Sequence, residues 1–307
     1  MLQILLVILP VFLLIFLGWV CRKRGFPGEG FWAPAEKLTY FILFPALLVA
    51  TLAEADFSGL DLLPMALAVD GAILLMTALT LALKPLLGID GPGFTSLYQG
   101  AIRMNSYIGL SVSYGLFGAA GLTAAALAVA AIVPLANVCC VLILARYGSA
   151  AQPTVLGVLK EFARNPLILG CVLGGLLNAT GLGLPPVADD MLHILGRAAL
   201  PLGLLAVGAA LSLQAVKNVK ALAFGITVLK LAVLPAITLG IALLLGVQGT
   251  ALAVAVLFNA LPTATSSYIL ARQLGGDAQL MAALVTLQTA ASMLTIPLVL
   301  ALVAAPA

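Results

Sequence analysis

Residues 253–276 read AVAVLFNALPTATSSYILARQLGG. Pro262 has no amide hydrogen and its ring clashes with the preceding turn, so a helix cannot run through it undisturbed. Thr263, Thr265, Ser266 and Ser267 follow at once, and Asn259 stands one turn before. Polar side chains thus gather around one proline in the middle of an apolar stretch. Within a bilayer, an interrupted backbone leaves N–H and C=O groups that lipid cannot satisfy, so a break belongs where protein, ion or ligand covers it. The competing reading is a plain proline kink whose hydroxyls bond back to the helix.

Composition shows why a bilayer is the setting. Of 307 residues, 63% are hydrophobic and 8% charged, where a soluble domain carries about 25% charged residues. So few charges cannot coat a soluble body, which excludes a cytosolic enzyme and a nucleic-acid binder. Apolar runs of about 20 residues suit membrane helices. A transmembrane barrel instead alternates polarity over segments of about ten. The cysteines Cys21, Cys139, Cys140 and Cys171 lie in or beside apolar segments without CxxC spacing, as buried small hydrophobes do.

The reading is an all-α membrane protein of ten spans, at about 2–21, 36–53, 62–83, 93–117, 121–145, 165–181, 188–211, 219–246, 249–271 and 278–303. Arg22, Lys23 and Arg24 follow the first apolar run rather than precede it, which argues for a retained helix over a signal peptide. With the loops numbered alternately, one side receives Arg22, Lys23, Arg24, Lys37, Lys84, Arg146, Lys160, Arg164, Lys217, Lys220 and Arg272. The other receives no basic residue but has Glu54, Asp56, Asp61, Asp189 and Asp190. The positive-inside rule puts the basic loops in the cytoplasm, hence both termini outside, in an inner or plasma membrane.

The chain also repeats. Pro10 and Pro166, Pro45 and Pro201, Asn105 and Asn259, and Gly118 and Gly275 are pairs separated by 154 to 157 residues. Five spans per half mean that the second half enters the membrane in the opposite sense, the inverted plan of many secondary transporters. The halves are residues 1–146 and 164–307, joined by a cytoplasmic linker at 147–163. The counterpart of span nine is span four, FTSLYQGAIRMNSYIGLSVSYGLFG at 94–118. Its polar side chains, Arg103, Asn105 and Ser106 among them, cannot all face lipid, and Gly109 offers a weak point in the helix. A helix shielded inside the bundle is the alternative. Arg103 resists it, because an intramembrane guanidinium is costly unless paired or hydrated.

These residues carry a resemblance. NSYIGL at 105–110, ending on Ser111, and ALPTATSSYILA at 260–271 resemble motifs of the auxin efflux carrier family, whose best-known members are the plant auxin exporters. FILFPALL in span two and NPLILG in span six are similar to family motifs as well, so the likeness covers nearly the whole chain. It implies an elevator-type carrier with a sodium/proton antiporter-like, bile acid symporter-like fold, in which the broken spans four and nine cross. Spans three, four, five, eight, nine and ten would form the transport part. Spans one, two, six and seven would form a scaffold that dimerises. By resemblance, Asn105 contacts an anionic substrate and Pro262 marks the second crossover. Met104 and Ser111 depart from the family, which has prolines there.

The expected substrate-binding residues are Asn105, Arg103, Ser106, Asn259, Pro262, Thr263, Thr265, Ser266 and Ser267. Arg103 suits a carboxylate through its bidentate geometry, or else snorkels or pairs with Asp70. Asp70 and Lys230, in the counterpart spans three and eight, either pair with each other or take part in coupling, and Gln288 in span ten lies within reach of the crossover. His193, the only histidine, is expected to make a surface hydrogen bond near Asp189 and Asp190 rather than relay protons. No metal site and no cofactor is expected, since one histidine cannot build a usual metal centre. The expected function is secondary transport of a small organic anion, an auxin-like carboxylate or a dicarboxylate, driven by protons or by membrane potential. A sodium-coupled symporter is the runner-up, and a sensor or channel a more distant third. The expected partners are the carboxylate, protons, the lipid bilayer and a second copy of the chain, with no nucleic acid.

Overall fold

The computed structural model describes residues 2–28, 30–57, 61–149, 163–217 and 221–304. Most of the linker, with Lys160, and also Lys220 lie outside the described residues. Helices α1 (Leu2–Lys23), α2 (Trp32–Ala53), α3 (Leu62–Leu87), α4 (Gly91–Ile102) and α5 (Ser106–Tyr147) make up the first half. The second holds α6 (Pro166–Thr180), α7 (Pro186–Ala210), the single turn α8 (Leu213–Val216), α9 (Ala221–Leu244), α10 (Gly249–Ala260), α11 (Ser266–Leu274) and α12 (Ala278–Ala304). Among the described residues there is no strand.

Among the described residues, seven helical stretches are long and apolar enough to cross a membrane, one of them the 57-residue stretch Gly91–Tyr147. Two further apolar helices, α6 and α10, are shorter. The protein is therefore a multi-pass membrane protein. The long stretch is not straight. Gly118 takes φ 60° and ψ −143° within α5, a conformation open to glycine because it has no Cβ. Two other irregularities have a common cause. A π-helical turn occupies Thr39–Leu43 in α2, just before Pro45, and another occupies Leu229–Val233 in α9, just before Pro235. A proline ring collides with the carbonyl four residues back, at Phe41 or Leu231, and each widened turn contains that carbonyl.

The helices pack in two groups. α1 lies on α7, and α2 lies on α6 and α7. α3, α4, α5, α9, α10 and α12 pack among themselves. The ends of four helices meet where Ser149 donates from its amide and hydroxyl to Gly275 O (2.9 and 3.0 Å) and Ser96 donates to Asp277 O (2.9 Å). This junction holds basic–aromatic pairs. Lys84 Nζ sits 4.6 Å from the Tyr147 ring centre and 5.5 Å from that of Phe94, and Arg146 stacks on Tyr147. Such pairs suit a membrane–water boundary. A second junction is acidic. Asn178 Nδ2 donates to Ala53 O and Ala55 O (3.1 and 2.9 Å), and His193 Nε2 lies 3.3 Å from Glu54 Oε2 and 3.4 Å from Asp189 Oδ1.

The two interruptions touch at the centre of the second group. The chain leaves the helix at Arg103 (φ −74°, ψ 154°) and re-enters at Ser106. No proline causes this. Asn105 ends the break as the N-cap of α5, its Oδ1 accepting from the amides of Tyr107 (3.1 Å) and Ile108 (3.3 Å). Asparagine is among the best residues for that position. Gly109 stays helical. Its bare Cα lets Leu261 and Phe258 of the other break come close, and a Cβ there would stand 2.6 Å from Leu261 Cδ1 and 2.9 Å from Phe258 Cζ. The second break runs from Leu261 to Thr265. Asn105 N donates to Pro262 O at 2.8 Å, so each break satisfies part of the other.

Gln288 on α12 completes the joint. Its Oε1 accepts from Thr263 N (3.0 Å) and its Nε2 donates to Gly100 O (2.9 Å), which also accepts from the Thr263 hydroxyl (3.1 Å). Thr263 and Gln288 are fully buried. Gln288→Leu leaves the Thr263 amide unpaired, at a cost of about 1–3 kcal/mol. Its unfolding midpoint in detergent is expected to fall, and an unchanged midpoint would show that the amide has another acceptor. Gly109→Val should also lower the midpoint by forcing the two breaks apart. Wild-type stability for that variant would contradict the close approach.

Candidate functional site

Helix interruptions inside an apolar bundle expose helix ends. At the first break α5 begins, and at the second α11 begins, so two helix N-termini converge where Asn105 N meets Pro262 O. The helix dipole gives each N-terminus a partial positive charge, which favours an anion.

Arg103 adds a full charge. Its Nη1 donates to Asn137 Oδ1 on α5 (3.0 Å) and its Nη2 to Ser266 Oγ (3.1 Å). The side chain is half-buried, as are Ser106 and Ser266. Both partners are neutral. Among the described residues Arg103 has no ion pair within 4.0 Å, and neither have Asp70 and Lys230, so the pairings of Asp70 with Lys230 or with Arg103 are not formed. The guanidinium therefore keeps donors and an uncompensated charge at the crossing.

Asn105 contributes two donors for a geometric reason. Its Oδ1 must face the amides of Tyr107 and Ile108, which need an acceptor, so its Nδ2 must point elsewhere. The residue is 1% exposed and Nδ2 has no hydrogen-bond partner. Ser267, fully buried one residue beyond Ser266, has a hydroxyl that is likewise unpartnered. Unpaired buried polar atoms are unusual in native proteins, and each asks for an explanation.

Asn259, the sequence counterpart of Asn105, is placed differently. It lies within α10, fully buried, and its Nδ2 donates to Val69 O on α3 (3.1 Å) and to Thr238 Oγ1 on α9 (2.8 Å). Only its Oδ1, an acceptor, is left unpartnered. Asn259 thus ties three helices together and presents no donor. Thr263 and Gln288 are likewise occupied by backbone groups of the breaks. Lys230 is fully buried in the π turn of α9, against α4, α10 and α12, with no hydrogen-bond partner for Nζ. Asp70 is half-buried, with Oδ1 unpartnered. It directly follows Val69, the residue to which Asn259 is bonded.

One residue at the crossing is absent from the sequence reading. Thr265 donates to Glu36 Oε1 on α2 at 2.9 Å. The sequence placed the start of span two at position 36, whereas α2 begins at Trp32, one turn earlier, and so draws Glu36 inside the protein. Pro34 lies in the first turn of α2, where proline is tolerated.

A cavity of about 290 Å³ lies away from the crossing, between α3, α4 and α9. Apart from Thr80 and Tyr98, its named lining is apolar, including Leu83, Phe94, Leu97 and Leu229. It has no cation to recognise a carboxylate.

Comparison with known proteins agrees with a membrane transporter. The chain is 26% identical over 308 residues to an "Uncharacterized transporter" of Methanothermobacter thermautotrophicus, an alignment covering 95% of each. It is 27% identical over 307 residues to a "Putative malonate transporter" of Rhizobium meliloti, covering 94% of this chain and 92% of that one. Residues 150–300 match the family described as membrane transport protein. In its second half the chain is similar to that membrane transport family, and both relatives are named as transporters.

Proposed function

We propose that this protein is a secondary carrier of small dicarboxylates of malonate's size, with its cargo held at the crossing of the two breaks. One observation carries the reading: an uncompensated guanidinium, a buried unpartnered amide donor and two helix N-termini converge in a membrane-embedded joint. Arg103 would take one carboxylate. Asn105 Nδ2 and the hydroxyls of Ser106, Ser266 and Ser267 would take the remaining oxygens. The name of the Rhizobium relative supports malonate as the first cargo to try. The match of Pro and Asn positions between the halves supports an inverted repeat of five spans each. The mainly mutual packing of α1, α2, α6 and α7 supports a scaffold against which the remaining helices slide, and this scaffold is the proposed dimer surface. The gathering of Lys84, Arg146 and Arg272 at helix ends supports a cytoplasmic basic face.

Asp70 is the proposed proton carrier. It is an intramembrane carboxylate with no ion pair among the described residues, and it adjoins the residue bonded to Asn259 at the second break.

In proteoliposomes, Arg103→Gln should weaken malonate counterflow about 10- to 100-fold, the loss of one charge-assisted hydrogen bond at about 1.5–3 kcal/mol. Asn105→Ala should weaken it as well. Wild-type kinetics in both variants would remove the crossing as the site. Asp70→Asn should abolish the dependence of net uptake on a pH gradient while sparing counterflow. An unaltered gradient dependence would assign coupling elsewhere, and a requirement for sodium would favour the symporter.

A further inference from the structure

Glu36 is the one carboxylate hydrogen-bonded to the breaks among the described residues. It comes from α2, which packs mainly with α6 and α7 and touches the broken helix α5 through Phe44 and Tyr107. Thr265, 8% exposed, donates its hydroxyl to Glu36 Oε1 at 2.9 Å. The next residue, Ser266, accepts from Arg103 Nη2 at 3.1 Å. An acid and a base therefore grip successive hydroxyls of one turn, yet they form no ion pair within 4.0 Å. Tyr107 lies within electrostatic range of the acid, and Tyr40 within that of Arg103.

This arrangement has a chemical meaning. A hydroxyl that donates to a carboxylate in a partly dry site can equally donate to another carboxylate. Glu36 makes with Thr265 the contact that a carboxylate ligand bound beside Arg103 would make. Two negative groups cannot share that space cheaply, because Coulomb repulsion over a few ångströms is strong where water is scarce. On the reading that an anion binds at the crossing, we infer that Glu36 is a tethered competitor: its carboxylate occupies the Thr265 hydroxyl, and the cargo carboxylate must displace it to bind. Displacement breaks the hydrogen bond that ties α2 to the second break, so cargo binding and release of that tie are one event. An empty carrier stays tied and a loaded one is freed, which suppresses movement without cargo.

The test measures malonate binding to purified protein by isothermal titration calorimetry, with succinate and indole-3-acetate as further probes. Glu36→Gln keeps the shape and an acceptor for Thr265 but removes the charge. It should bind malonate about tenfold more tightly than wild type, the scale of one charge-assisted hydrogen bond. In a Thr265→Val background the same substitution should gain less than about twofold, because the contested hydroxyl is gone. Equal or weaker binding by Glu36→Gln would overturn the inference, with Arg103→Gln still weakening binding if the site itself is right. A full gain in the Thr265→Val background would also overturn it, by showing a distant charge effect rather than competition. If no probe binds to wild type or to Glu36→Gln, the site and the competitor fall together.

Discussion

The structure depends on one constraint: backbone polar groups that leave a helix inside the bilayer must find partners that lipid does not supply. The breaks at 103–105 and 261–265 answer it by facing each other. Pro262 O takes the Asn105 amide, and Gly100 O takes donors from Thr263 and Gln288. Neither break is viable alone, since each leaves groups that the other completes. The joint is therefore a rigid unit made from distant parts of the chain.

That rigidity gives the crossing its chemistry. Because Asn105 Oδ1 is committed to capping α5, its amide nitrogen is a donor in a fixed direction. Because Asn137 and Ser266 are neutral, they orient Arg103 without cancelling its charge. Preorganised donors of this kind would lose little freedom to the anion proposed as cargo. Asn259 shows the reverse. The same residue type, bonded to Val69 O and Thr238, becomes a tie between helices.

Much of this was legible in the chain. Composition demanded a membrane, and Pro262 with its hydroxyl cluster announced the second break, because a proline's effect on a helix is local. The first break was readable only in part. Its polar residues marked span four, but Gly109 drew attention as the weak point, while the interruption lies at Arg103–Asn105, with no proline in it. An asparagine can cap a helix or sit within one, and here the carbonyl of Pro262, more than 150 residues away, accompanies the capped choice.

The chain by itself determined the solvent, the apolar helices and the second interruption, since these follow from hydrophobicity and from the backbone chemistry of proline. Tertiary structure decided which polar side chains are spent on scaffolding and which stay available. It separated Asn259 and Gln288, bonded to backbone groups, from Arg103 and Asn105, with donors to spare. It left Asp70 and Lys230 without an ion pair to each other, and it brought Glu36 to Thr265. The physical reason is that a hydrogen bond depends on distance and direction between groups far apart in sequence, and neither is encoded in spacing along the chain.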